Sequence, residues 1–208
     1  MPGLLPCGPD AVLVEPAEPA QLPGLTDALA GGAVAGVTEV VPAARTVLVR
    51  FGSPATLAAG RTALARLLAT TPATTPAPDP GRVVEVEVTY DGPDLAEVAR
   101  LTGLGVGGVV AAHTAAPWRV AFGGFAPGFA YLSGGDPRLQ VPRRAEPRSS
   151  VPAGSVGLAG EFSGIYPRSS PGGWQLIGST TAALWDATRE PPALLAPGRW
   201  VQFVAVGR

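Results

Sequence analysis

The sequence predicts an α+β protein, with a small α/β sandwich domain over residues 1–80 and a β-barrel domain over residues 81–208. Three observations support this fold class. Up to residue 71, strand and helix patterns alternate in a β-α-β-β-α order. Residues 70–81 then contain four prolines and show no apolar periodicity. After them come short strand-like runs that are separated by Gly/Pro turns. The first order is typical of a small sheet covered by helices. The last pattern is typical of a closed or nearly closed barrel.

The first domain is predicted to contain three strands and two helices after a loose lead-in over residues 1–9, which are rich in Pro and Gly. Ser53 is a favourable helix N-cap, and Pro54 fits the first position of the helix that follows. This helix must end by Thr71, because Pro72 disfavours its continuation. The predicted strands cover residues 11–15, 37–41 and 46–51, and the other predicted helix covers residues 22–29.

The second domain opens with a predicted strand over residues 83–90, in which valines alternate with polar residues. Asp94 and Glu97 have the spacing of a capping box and predict a helix that Gly103 ends. Only short strand-like runs follow, which predicts a barrel carrying one or two helices. These runs cover residues 106–112, 118–122, 155–158, 174–177 and 200–206. The proline-rich stretch 70–81 between the domains is typical of a semi-rigid linker.

Bulk properties exclude several classes of partner. The formal net charge is −1 at pH 7, which gives no reason to expect nucleic acid or an anionic membrane surface. The longest apolar stretch, near residues 104–112, is interrupted by glycines and is too short to span a membrane. The beginning of the sequence lacks the pattern of a signal peptide, and Cys7 is the only cysteine. We therefore expect a cytoplasmic protein without an intramolecular disulfide.

The residue types that are missing restrict the chemistry further. All 15 basic residues are arginine, which excludes a Schiff-base lysine, a Walker-type lysine, a Ser–Ser–Lys amidase and a biotin attachment site within this sequence. His113 is the only histidine, so the sequence offers no two-histidine metal site and no other metal ligand set. Chemistry must therefore come from carboxylates, hydroxyls, arginines, backbone dipoles or His113. The alternative is a site that is incomplete without a partner.

The candidate site lies within residues 122–177, where Gly and Pro are too dense for a helix. Prolines at 142, 147 and 152 stiffen one loop of this stretch. The guanidinium fork of arginine matches a carboxylate or a phosphate, and a stiff loop loses little entropy on binding. We therefore predict that the loop binds an anion through Arg143, Arg144 and Arg148. The alternative is that these arginines hold loops together by pairing with Asp136, Glu146 or Glu161.

Three further side chains are candidates for the site. His113 follows an apolar run and could act as a general base, because its ordinary pKa is near 6.5. The alternative for His113 is a hydrogen-bonded residue of the scaffold. Tyr131 and Tyr166 flank Gly/Pro turns, and we predict a catalytic role for Tyr131 and a substrate-binding role for Tyr166, with their hydroxyls pointing into a pocket. The alternative is that both hydroxyls are satisfied within the core.

Several segments together carry a resemblance to a known family. The segments are GFAPGFAYL, VPRRAEPRSSVPAGSVGLAG, GIYP and SPGGWQLIGST, with YDGPDL before them and PGRWVQF after them. They resemble the family of the kinase inhibitor KipI, which includes the B component of the prokaryotic 5-oxoprolinase and is often labelled as the first component of allophanate hydrolase. The resemblance covers most of the chain and implies that the second domain is a cyclophilin-like β-barrel belonging to a carboxyltransferase domain.

The resemblance also implies functions and partners. One function is that of a subunit of an ATP-dependent 5-oxoprolinase, which converts 5-oxoproline to glutamate. Such a subunit acts only with two others, a homologous KipA-like partner and a lactam-utilisation partner. The assembled complex would bind ATP, and the arginines named above would hold the substrate carboxylate or a phosphate of ATP. A second function is that of a binding protein that inhibits a sensor histidine kinase. A third is a role related to allophanate hydrolase or urea carboxylase.

The chain departs from the family pattern in two segments. Ser179-Thr180-Thr181 follows GWQLIG where the family usually has Arg-Thr-Pro, and Trp118 stands where a tyrosine is usual. If that arginine contacts substrate or partner in the family, affinity or partner choice differs in this chain.

Overall fold

The computed structural model describes residues 3–74, 76–78, 81 and 83–207. The chain divides into two compact units, Met1–Ala77 and Pro78–Arg208. This division lies within the stretch 70–81 that the sequence predicts to be a linker, but residues 75, 79 and 80 of that stretch lie outside the described residues. The boundary at 80/81 and the linker character stay predictions.

The first unit is a four-stranded antiparallel sheet, with strand order β1-β2-β4-β3, and two helices. The strands are β1 (Gly3–Pro6), β2 (Ala11–Glu15), β3 (Val37–Pro42) and β4 (Val47–Phe51), and the helices are α1 (Leu22–Ala30) and α2 (Pro54–Thr70). The Ser53 hydroxyl accepts a hydrogen bond of 3.2 Å from the Thr56 N–H, and Pro54 begins α2. The predicted cap is therefore confirmed.

The prediction of a loose lead-in over residues 1–9 was wrong for residues 3–6. Residues 3–6 form β1, which pairs with β2 from Gly3 opposite Glu15 to Pro6 opposite Val12. The strand lies at the edge of the sheet, where proline is tolerated because half of the backbone groups need no strand partner. Leu4 packs against the core of this unit. Residues 1 and 2 lie outside the described residues.

The second unit is built on a seven-stranded sheet of order β12-β9-β10-β7-β6-β13-β5. Beyond the end of β5, the backbone of Thr89 exchanges two hydrogen bonds of 2.9 Å with Ser179 of β12, which links the two edges of the sheet and nearly closes a barrel. The predicted fold, an α/β unit followed by a nearly closed β-barrel, is confirmed. The strands are β5 (Val83–Val88), β6 (Trp118–Gly123), β7 (Ala130–Ser133), β9 (Ser155–Ala159), β10 (Phe162–Ile165), β12 (Gln175–Ser179) and β13 (Trp200–Ala205).

Two helices and a short ribbon complete this unit. The helices are α3 (Leu95–Thr102) and α4 (Gly105–Thr114), and the ribbon pairs β8 (Arg148–Val151) with β11 (Ser170–Gly172). Gly103 ends α3 in the left-handed conformation, with φ of 71°, as predicted. No described helix is by itself long and apolar enough to cross a membrane; only α3 and α4 taken together, bent by 91°, reach that length and composition.

Two local predictions in this unit were wrong. Residues 106–112 form most of α4 and not a strand, because a short apolar run cannot distinguish a buried strand from a helix whose one side is buried. Here Val109 and Ala112 enter the barrel core. The predicted capping box also does not form: the Asp94 side chain makes no cap bond, and Glu97 pairs with Arg100 instead.

Candidate functional site

The loop over residues 142–148 is anchored to β12 and to the turn before it. The Arg144 N–H donates a hydrogen bond of 2.8 Å to the Gly173 carbonyl. The Gln175 side-chain amide donates one of 3.2 Å to the Pro142 carbonyl. These bonds hold the residues on both sides of Arg143, so its backbone has little freedom.

A buried carboxylate holds the same loop through its side chains. Arg148 is bidentate on Asp94, with Nη1 at 2.8 Å from Oδ2 and Nη2 at 2.8 Å from Oδ1. Nη1 of Arg144 lies 2.7 Å from Oδ1. Asp94 is only 3% exposed, and it also accepts a bond of 2.7 Å from the Leu176 N–H of β12. One carboxylate therefore joins the start of α3, the arginine loop and the barrel wall.

The opposing effects on this carboxylate are unequal. Burial favours the neutral acid and so works to raise the pKa of Asp94. The hydrogen bonds from Arg148 and from the Leu176 backbone, with the charges of Arg148 and Arg144, outweigh burial and leave the pKa of Asp94 below its usual value. Asp94 is therefore ionised at neutral pH.

The expected partners of the arginines were wrong, although the pairing itself was correct for two of the three. Arg144 and Arg148 pair with Asp94, which the sequence analysis treated only as a helix cap. Asp136 binds Arg138 instead. Glu146 and Glu161 are exposed side chains. Three arginines on one stiff loop need a negatively charged partner. Asp94, which follows the turn residues Gly92 and Pro93, was the signal in the sequence that could have identified this partner.

Arg143 differs from its two neighbours. Its side chain is exposed and makes no hydrogen bond or ion pair with any residue that the structure describes. Its positive charge works to lower the pKa of the Tyr166 hydroxyl, against the larger effect of burial. The guanidinium of Arg143 is thus available to an incoming anion.

Three of the other predicted site residues act electrostatically on the hydroxyl of Tyr166, namely Tyr131, Arg143 and Arg148. Burial raises the pKa of the Tyr166 hydroxyl, and Tyr131 adds to this; a hydrogen bond from the Trp174 backbone and the charges of Arg143 and Arg148 oppose it. Arg144 joins the group through Asp94.

An aromatic cluster supports these two tyrosines. Phe129 contacts Tyr131, Tyr166 and Trp174 edge to face, with ring centroids 5.3–5.6 Å apart. Such contacts fix ring orientation better than aliphatic packing does. Gly172 is required here, because an added Cβ would collide with the Tyr166 hydroxyl. The SPGGW segment thus leaves room for the hydroxyl of Tyr166.

His113 lies elsewhere, in the barrel core. Its side chain is fully buried at the end of α4. Nδ1 lies 2.7 Å from the Tyr90 hydroxyl and Nε2 lies 2.9 Å from the Ser163 hydroxyl, and the ring stacks on Phe203 at 4.2 Å. Burial lowers the pKa of His113 to about 3, so the imidazole is neutral at physiological pH. These contacts match the scaffold alternative; the general-base role of His113 stays a prediction.

An apolar surface lies beside the aromatic cluster, and the sequence analysis did not identify it. Phe125 is 56% exposed and Trp185 is 45% exposed. Both line a hollow of ≈ 300 Å³ that the 123–129 segment forms with the chain before β13. Large exposed aromatic side chains that share one hollow are typical of a surface that another molecule covers.

Among the described residues, no group of three or more His, Cys, Asp or Glu side chains could hold a metal ion.

Comparisons with known proteins agree on one family. The sequence model described as "Carboxyltransferase domain, subdomain C and D" matches residues 2–195. A protein from Escherichia coli O157:H7, named as the B component of 5-oxoprolinase, is 43% identical over 171 residues, which cover 81% of this chain and 78% of that protein. A second protein with the same name, from Bacillus subtilis, is 48% identical over 128 residues, which cover 60% of this chain and 53% of that protein.

Solved structures share the fold. TTHA0988 is 38% identical with a TM-score of 0.70; the match covers 95% of this chain but only 40% of that chain. The conserved uncharacterized protein PH0987 from Pyrococcus horikoshii is 33% identical with a TM-score of 0.60, and 99% of this chain matches 98% of that chain. The Kluyveromyces lactis urea amidolyase is 18% identical with a TM-score of 0.62 over 95% of this chain and 14% of that chain, a likeness of fold.

Proposed function

The chain belongs to the family of carboxyltransferase subdomains C and D, and from this premise we propose that it is a subunit of an ATP-dependent 5-oxoprolinase. The proposed complex converts 5-oxoproline, ATP and water to glutamate, ADP and phosphate. The names of the relatives from Escherichia coli O157:H7 and Bacillus subtilis support this choice of reaction. Because both are named as one component of that enzyme, the names also support a requirement for other subunits. We expect these to be a homologous KipA-like partner and a lactam-utilisation partner, in the cytoplasm.

The observation that carries the proposal is the exposed guanidinium of Arg143, which is bonded to none of the described residues and acts electrostatically on the Tyr166 hydroxyl. Arg144 and Arg148 both bind Asp94, whereas Arg143 is the arginine of this loop whose exposed guanidinium is bonded to none of the described residues and can pair with an incoming anion. 5-Oxoproline carries one carboxylate next to a lactam ring. A guanidinium can bind that carboxylate through two parallel hydrogen bonds, and we assign this role to Arg143, with Tyr166 and Tyr131 beside the ring.

The chain by itself is a poor match to ATP. It contains no lysine, and Asp94 already binds two of the three arginines on the predicted site loop, whereas triphosphate sites usually combine a lysine, a glycine-rich loop and a metal ion. We therefore assign the main ATP contacts to the partner subunits and expect this chain to be inactive alone. ATP supplies the activation of the lactam carbonyl; the role of Arg143 is to bind and orient the substrate.

Reconstitution tests the proposal. The chain is co-expressed with the homologous and lactam-utilisation partners, and glutamate release from 5-oxoproline is measured with and without ATP. We expect a hetero-oligomer whose turnover requires ATP and all three proteins. A hetero-oligomer that forms but releases no glutamate would contradict the proposal, as would turnover by the two partners without this chain.

The exposed pair Phe125 and Trp185 favours a second candidate, a protein that inhibits a sensor histidine kinase by docking on its helical dimerisation domain. An exposed aromatic surface of this kind suits contact with the apolar side of a helix. Kinase autophosphorylation, measured with the chain and with its Trp185→Ser variant, tests this candidate. Inhibition by the parent and its loss in the variant would support it. A biotin-related role has less support, because this sequence has no lysine to carry biotin.

A further inference from the structure

We propose that Asp94 is a positioning residue, which fixes the loop 142–148 so that Arg143 is presented to the substrate. This inference rests on the proposed function, because it assigns Arg143 to the substrate carboxylate. Asp94 itself is 3% exposed and cannot reach a ligand. It acts through the residues that it binds.

Several hydrogen bonds meet at Asp94. Its two oxygens accept three hydrogen bonds from Arg144 and Arg148 and one from the Leu176 N–H, all within 2.7–2.8 Å. Its own N–H donates to the Leu176 carbonyl at 2.9 Å. The carboxylate is therefore fixed to β12 by its backbone and its side chain at once, so its position does not depend on the loop.

Arg143 lies between residues that are anchored on both sides. Arg144 is held by the Gly173 carbonyl through its backbone and by Asp94 through its side chain. Pro142 is held by the Gln175 amide. Without Asp94, the guanidinium groups of Arg144 and Arg148 would lack their counter-charge and would turn towards solvent. The loop would then lose the two anchors that its own arginine side chains provide, and Arg143 would shift from its present position.

A positioning role and a purely stabilising role have different effects on the kinetic constants. A residue that only stabilises the barrel changes the fraction of folded protein, which lowers kcat per total enzyme and leaves KM unchanged. A residue that positions a substrate-binding arginine changes KM for that substrate in the fraction that is folded. Comparing the change in KM with the change in kcat therefore distinguishes the two roles.

The test uses the reconstituted complex with Asp94→Asn, and Glu97→Gln as the matched control. Glu97 lies on the same helix and also binds an arginine through two bonds, to Arg100 at 2.6 and 2.9 Å, but at the surface. We expect KM for 5-oxoproline to rise at least tenfold in Asp94→Asn while kcat per folded complex changes less than threefold. In Glu97→Gln both constants should stay within twofold of the parent. An unchanged KM in a folded Asp94→Asn complex would overturn the proposal.

A second variant keeps the test decisive if Asp94→Asn does not fold. Gln175→Leu removes the bond from the Gln175 side chain to the Pro142 carbonyl of the loop, and it also removes a buried oxygen that has no hydrogen-bond partner. It should therefore fold, and KM should rise if the loop must be held for Arg143 to act. An unchanged KM in Gln175→Leu would overturn the idea that loop position matters.

Hydrogen exchange of the chain separates this proposal from the proposed function. The Arg144 amide, bonded to the Gly173 carbonyl, should exchange at least tenfold faster in Asp94→Asn than in Glu97→Gln. If the parent complex does not turn over 5-oxoproline but the loop loosens as expected, the proposed reaction fails while Asp94 remains the anchor. If the loop stays protected in a folded Asp94→Asn chain, the positioning proposal fails whatever the reaction is.

Discussion

The Tyr90 hydroxyl lies 2.7 Å from Nδ1 of His113, inside a barrel core where the histidine has no exposed surface. Ser163 bonds the other ring nitrogen at 2.9 Å. A neutral imidazole donates through one nitrogen and accepts through the other, so these two hydroxyls satisfy it completely. A protonated ring would have to donate through both nitrogens in a site without a neighbouring counter-charge among the described residues.

The pH dependence of stability should report this histidine. Burial lowers the pKa of His113 to about 3, below its ordinary value of about 6.5 in the unfolded chain. The unfolded state therefore takes up the proton first, so the stabilisation is complete above about pH 6.5 and is lost as pH falls towards 3. The slope should be about 1.4 kcal/mol per pH unit. Urea unfolding at pH 5–8 measures it.

The matched variant for this prediction is His113→Gln, whose amide can also bond Tyr90 and Ser163 but does not titrate. Its stability should be nearly flat between pH 5 and 6.5. The lowered pKa of Asp94 adds a pH dependence only at more acid values, because that carboxylate loses its stabilising effect as pH falls below its unfolded pKa of about 3.9. A parent protein as flat as His113→Gln over pH 5–6.5 would contradict the account of His113.

Replacing Arg148 should lower the stability of the protein much more than replacing Arg143. Arg148→Lys keeps the charge but loses one of the two bonds to Asp94, so the free energy of unfolding should fall by about 1–3 kcal/mol. Arg143→Lys should change it by less than about 0.5 kcal/mol, because this side chain is exposed and bonds to no described residue. Urea unfolding of both variants checks this. If both variants lost the same free energy of unfolding, the assignment of a structural role to Arg148 and not to Arg143 would be wrong.

The turn before α3 should be intolerant of any side chain at Gly92. A Cβ there would collide with the backbone of Leu176, Ile177 and Gly178, which cannot move aside. We expect Gly92→Ala to lower the free energy of unfolding by at least about 2 kcal/mol. Gly107 is the control: it is exposed in α4 and has no atom within 4 Å of an added Cβ. Gly107→Ala should stabilise by about 0.5–1 kcal/mol. A tolerated Gly92→Ala would contradict the close packing of the turn on β12.

Limited proteolysis tests the domain boundary. Apart from its prolines, the stretch 70–81 contains no apolar side chain larger than alanine, so a protease should cut there first and release a folded C-terminal fragment. Mass spectrometry of the first fragments identifies the cut. Protection of this stretch, with earlier cleavage inside either unit, would contradict the boundary.

Much of the fold could be predicted because local signals agreed with the tertiary structure. Ser53-Pro54 marks a helix start, and Gly103 marks a helix end, by backbone geometry alone. The strand over residues 106–112 was mispredicted because a run of small apolar residues has no strong period, and its helical state depends on packing into the barrel core.

The candidate site was only partly predictable for a different reason. Arginines on a stiff loop are visible in sequence, but their partner Asp94 is 50 residues from Arg144 and 54 from Arg148. Only the closure of β12 against the turn before α3 brings them together. The same applies to His113 and Ser163, which are 50 residues apart. Long-range pairs of this kind carry no periodic signal along the chain.

The most direct test of the account is the Michaelis constant for 5-oxoproline of the reconstituted complex carrying Arg143→Lys, compared with Arg66→Lys on the exposed surface of α2. Lysine keeps the charge but cannot form the two-bond fork, a loss of about 1.5–3 kcal/mol. We expect KM to rise about tenfold or more in Arg143→Lys, with the melting temperature unchanged, and both quantities to stay at the parent values in Arg66→Lys. An Arg143→Lys complex with the parent KM would contradict the assignment of the substrate carboxylate to Arg143.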